Sequence, residues 1–93
     1  MSIVIIGGHE RMERDYIRVG EKHGCKIKIF TKMPSDLCRR IGTPDYILLF
    51  TDVASHKLVL STLKISKKKN IPSFRVHNSS IQTLENALYE IKQ

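Results

Sequence analysis

Two uninterrupted apolar runs, Ile3-Val4-Ile5-Ile6 and Tyr46-Ile47-Leu48-Leu49-Phe50, set the tightest limit on what this chain can become. They are too short for buried helices and read as strands. A strand apolar at every position is covered on both faces, as in a parallel sheet wrapped by helices. A sheet with one wet face would alternate apolar and polar residues instead. Segments of helical period separate the apolar runs, so the chain is a series of βα units.

After Ile6, Gly7-Gly8 ends the first strand and a helix runs from about Glu10 to His23. Met12, Tyr16, Val19 and His23 share one face of it, and Gly24 stands where a glycine closes a helix. Lys26-Ile27-Lys28-Ile29-Phe30 alternates charge with apolar groups and suits a half-exposed edge strand. Pro34 opens a short helix with Leu37 and Ile41 on one side, and Gly42 and Pro44 end it. Tyr46 to Phe50 is the third strand, and Thr51 to Ser55 a loop of capping residues. A basic helix from about His56 to Lys69 follows, with Leu58 or Val59, Thr62, Leu63 and Ser66 as its buried stripe. Ile71-Pro72 stops it. Ser73 to Val76 alternates again and reads as a second edge. Ser79 with Gln82 forms a capping-box pattern opening a last helix, with Ile81, Leu84, Leu88 and Ile91 on one face.

The order is βαβαβαβα. Right-handed crossovers favour an all-parallel four-stranded sheet. The continuous runs belong in its centre and the alternating runs at its edges, which predicts strand order 2-1-3-4. That is a short flavodoxin-like or response-regulator-like α/β sheet. With 93 residues the chain has room for one domain, residues 1–93. Neither apolar run approaches the roughly 20 residues of a membrane span. The N-terminus lacks a signal-peptide pattern, so the expectation is a cytoplasmic protein with no membrane contact. Cys25 and Cys38 form neither a C-x-x-C pair nor a zinc spacing, and read as idle thiols of a reducing compartment.

Sixteen Lys+Arg against nine Asp+Glu give a net charge of +7, which points to polyanionic partners. In a 2-1-3-4 sheet, ligands bind beside the carboxyl ends of the strands where the order reverses. Gly7, Gly8, His9, Glu10 and Arg11 follow strand one. Thr51, Asp52, Ser55 and His56 follow strand three. His77, Asn78, Ser79 and Ser80 follow strand four. Three of the four histidines thus fall on one edge of the sheet. Imidazole titrates near neutrality, so His9, His56 and His77 suit acid/base work, phosphate donation or metal ligation. The Gly7-Gly8 turn before a helix exposes backbone N–H groups to an anion, and Arg11 can pair with phosphate. Asp52 and His56 are the residues that suit a divalent metal. Each site residue also has a plainer role: Asp52, Ser55 and Ser79 as helix caps, Glu10 on a helix dipole, His23 in the core. Lys64, Lys67, Lys68 and Lys69, with Arg39 and Arg40, read as solvated basic faces.

The Gly7-Gly8-His9, Asp52 with Ser55-His56, and serine-rich Ser79-Ser80 segments resemble a small bacterial family known as domain of unknown function 2325. The resemblance covers nearly the whole chain. It implies a parallel α/β domain and an oligomer, and no settled activity. A second, architectural similarity is to IIB components of sugar phosphotransferase systems, which carry a phosphorylated cysteine after strand one. Here that place holds Gly7-Gly8-His9, which counts against a thiol carrier. The leading expectation is a domain that binds single-stranded nucleic acid, RNA or DNA, through its phosphates. A metal held by Asp52 and His56 would make it a phosphodiesterase, with His9, His56 and His77 as catalytic groups. Three other readings stay open. They are a homodimeric sensor of a nucleotide, metal or haem, a phosphoryl carrier using His9, and an interaction domain pairing the edge strand Ser73 to Val76 with a second copy. Whether the protein is an enzyme is left open at this stage.

Overall fold

A computed structural model describes residues 1–92. Four strands, β1 (Ser2–Gly7), β2 (Lys26–Phe30), β3 (Tyr46–Phe50) and β4 (Ser73–Val76), form one parallel sheet of order β2-β1-β3-β4. The two apolar runs lie side by side in the middle, with Ile3 facing Tyr46 and Ile6 facing Leu49 in register. The expected strand order is the observed one, for the reason given: only central strands need apolar residues on both faces.

Alternate residues of β1 and β3 feed two separate cores. Ile3, Ile5, Leu48 and Phe50 pack with Tyr16 of α1 (Glu13–Lys22) and with Leu84 and Leu88 of α4 (Ile81–Ile91). Val4, Ile6, Ile47 and Leu49 pack with Leu37 and Ile41 of α2 (Leu37–Ile41) and with Leu58 and Ile65 of α3 (His56–Lys69). Each such side chain withdrawn from water contributes about 1.5–3 kcal/mol. These two layers hold the sheet, and the loops at its ends are left to carry function.

Local details differ from the pattern-based expectation. The first helix does not begin at Glu10: Glu10–Met12 is a turn of 3-10 helix, and α1 proper starts at Glu13. The buried stripe of α3 is Leu58, Thr62, Ile65 and Ser66, with Leu63 only half buried. His23 is buried, with Nε2 3.4 Å from Glu85 Oε1 and its ring edge-on to Tyr89. It therefore ties α1 to α4. Lys69 also does structural work: Nζ donates to the carbonyls of Cys38 and Gly42 at 2.7 Å each, closing the C-terminal end of α2. Among the described residues, no helix is long and apolar enough to cross a membrane.

Candidate functional site

At the carboxyl edge of the sheet lies an open depression of about 400 Å³. His9, Met12, Asp52, His77, Asn78, Ser79, Ser80 and Ile81 line it. It spans the ends of β1, β3 and β4 and the N-terminus of α4, on the edge where the switch-point rule puts ligands.

The glycine pair shapes this edge from beneath. Gly7 and Gly8 have φ of +91° and +87°, conformations that side chains resist. A Cβ on Gly7 would stand 2.7 Å from the Phe50 carbonyl oxygen, and one on Gly8 would stand 2.9 Å from the Tyr16 ring. Both glycines are buried and neither lines the depression. Close packing against β3 and α1 is what requires glycine at both positions. The turn delivers exposed His9 to the rim. His9 precedes the 3-10 turn yet makes no side-chain capping bond, so its imidazole is not consumed in holding the helix.

Tyr16 couples this loop to the far wall. Its hydroxyl donates to the Ser79 carbonyl at 2.7 Å and accepts from the His9 N–H at 3.4 Å. Asp52 anchors the same segment: its Oδ2 accepts from Ser79 N at 3.1 Å and Ser79 Oγ at 3.0 Å. That pairing overturns the capping box read at Ser79. Ser80 is the cap of α4, its Oγ accepting from Thr83 N at 3.2 Å, while Asn78 Oδ1 accepts from Ser80 N at 2.8 Å. The cap moves one residue because a carboxylate from another strand's loop holds Ser79. At the other end, Thr51 donates its hydroxyl proton to the Val76 carbonyl at 3.2 Å. His77 Nδ1 lies 3.1 Å from that hydroxyl oxygen. That contact occupies Nδ1 and leaves Nε2 as the nitrogen free to meet a ligand.

The structure divides the expected site. His9, Asp52, His77, Asn78, Ser79 and Ser80 come together. Arg11 is exposed away from the depression, and the neighbouring Glu10 pairs with Lys32 at 3.0 Å. Ser55 caps α3, accepting from Leu58 N at 3.1 Å. His56 lies on α3's outer surface, away from the depression. The three-histidine edge is therefore a two-histidine edge, because the first turn of α3 directs His56 along the helix. Asp52 lines the depression while His56 lies on the outer face of α3, and no group of three His, Cys, Asp or Glu among the described residues could hold a metal. Sequence reasoning missed Met12 and Ile81. Their apolar periodicity marked them for the core, and they occupy its upper margin, where it meets the depression.

Fold and site together define a Rossmann-like α/β domain with a polar depression at its switch-point edge. The chain belongs to the bacterial family described as an uncharacterized protein conserved in bacteria, domain of unknown function 2325, whose model matches residues 2–91. A de novo designed Rossmann-fold protein is similar over 95% of this chain and 93% of its own, with TM-score 0.64 and 18% identity, a likeness of fold alone. No curated protein matches the chain.

Proposed function

We propose that the protein binds single-stranded nucleic acid through its phosphates, in the depression walled by His9 and His77. The observation that carries this reading is the pairing of two uncapped, exposed imidazoles with the N-terminus of α4 in one open depression. A helix N-terminus and imidazole donors both favour phosphate oxygens. The depression is open, which suits a passing strand better than an engulfed metabolite. No Phe, Tyr or Trp lines it, so contacts to the backbone outweigh base stacking. Asp52 disfavours a phosphate placed directly on it and suits a sugar hydroxyl alongside. The net charge of +7 adds long-range attraction. Binding is favoured over phosphodiester cleavage, since His56 stands on another surface and Asp52 is committed to Ser79.

The test is fluorescence anisotropy of labelled single-stranded oligoribonucleotide and oligodeoxyribonucleotide. Binding at low salt should weaken steeply as salt rises, because phosphate contacts release counterions. Replacing His9 and His77 together by alanine should weaken it about tenfold or more, two charge-assisted contacts being lost. No anisotropy change at low salt, or undiminished binding by the double variant, sinks the proposal.

A further inference from the structure

The outer face of α3 carries a second surface that the depression does not explain. It is an open helix face that presents Leu60 and Leu63 with His56, Lys57, Lys64 and Lys67 around them. Leu60 is 49% exposed, large for a leucine in mid-helix. Between His56 and Lys69 the helix contains no acidic residue. Lys57, Lys64 and Lys67 are exposed, and none has a carboxylate within ion-pair distance among the described residues. Two leucines interleaved with uncompensated lysines, Lys57 and Lys64 beside Leu60 and Lys67 between Leu60 and Leu63 around the helix, are thus left without a partner in the fold.

We propose that this face docks an acidic amphipathic helix of another protein, its apolar residues on Leu60 and Leu63 and its carboxylates on Lys57, Lys64 and Lys67. Charge decides the occupant. A second copy laying the same face against this one would set lysine against lysine, and like charges across an interface are strongly unfavourable. A nucleic-acid strand would match the lysines and leave the leucine stripe against phosphate. A lipid surface calls for a broader apolar face than two leucines, one of them half buried. From Lys57 to Lys67 the helix rises roughly 15 Å, about three turns, the length over which helix-in-groove partners place their anchors. The proposal is independent of nucleic-acid binding, which uses the other surface.

The experiment titrates the full chain into a labelled model peptide that places leucines at helical spacing of three and four with glutamates flanking them. A peptide of the same composition in scrambled order, phosphatidylserine vesicles and a labelled oligonucleotide serve as the other arms. The ordered peptide should bind and gain helicity by circular dichroism. Leu60→Ser and Lys64→Glu should each weaken it about tenfold, as loss of an interface anchor does. Amide shifts in the unmodified protein should map to α3, a readout that does not depend on any variant folding. Equal binding of the scrambled peptide, shifts mapping elsewhere, or an unchanged affinity in Leu60→Ser would overturn the proposal. So would vesicle or oligonucleotide binding that is lost in Leu60→Ser.

Discussion

The depression at the carboxyl edge and the stripe along α3 are both exposed and both carry histidine, yet they are built in opposite ways. The depression draws His9, Asp52, His77 and Ser79 from three loops and holds them with hydrogen bonds that span long stretches of chain. The stripe comes from one helix, and its residues are drawn from no other element. A surface made of one element tolerates change at any of its positions. A surface made of several depends on residues that never touch the ligand. The contrast is therefore testable through stability as well as binding.

The largest effect should come from beneath the depression. Gly7→Ala must place a Cβ in a left-handed conformation and against the Phe50 carbonyl, at a cost of about 3 kcal/mol. In a domain this size that lowers Tm by more than about 10 °C, read by thermal unfolding. An unchanged Tm would mean the turn is not clamped by β3. Tyr16→Phe comes next. It leaves the Ser79 carbonyl without its 2.7 Å donor, and a buried orphan acceptor costs about 1–3 kcal/mol in denaturant unfolding. Nucleic-acid affinity should fall with it, since the wall carrying Ser79 and Ser80 loosens.

Asp52→Ala should cost about 1 kcal/mol by releasing both donors of Ser79, and Asp52→Asn should recover most of that by offering an oxygen to the same pair. If alanine and asparagine behave alike, the Asp52–Ser79 bond is not what holds the loop. The smallest effect belongs to the stripe. Leu60→Ser should leave unfolding free energy within about 0.5 kcal/mol and oligonucleotide binding unchanged, while weakening the ordered peptide about tenfold. A large loss of stability in that variant would erase the distinction between the two surfaces.

Much of the site's address was readable along the chain. Apolar runs identified β1 and β3 as central, and a central pair in a parallel sheet locates the edge where ligands sit. The residues following each strand could then be named. Which of them meet was not readable. His56 at the start of a helix and His77 in a loop were both legible, but not that the helix faces His56 away from the depression while Thr51 holds His77 at its rim. Ser79 carried a good capping pattern with Gln82, and lost that role because Asp52, distant in sequence, takes its N–H and hydroxyl.

Hydrophobic periodicity, a local property, was enough to determine the elements, the parallel sheet and its 2-1-3-4 order, because every buried face must be apolar at the spacing its backbone imposes. The tertiary structure alone decided that Gly7-Gly8 packs closely beneath the edge, that the histidine edge has two members, and that His56 belongs to a different surface. Those outcomes depend on side-chain directions and on hydrogen bonds between distant loops. No local pattern encodes either one, because the partner is supplied by another part of the chain only after folding.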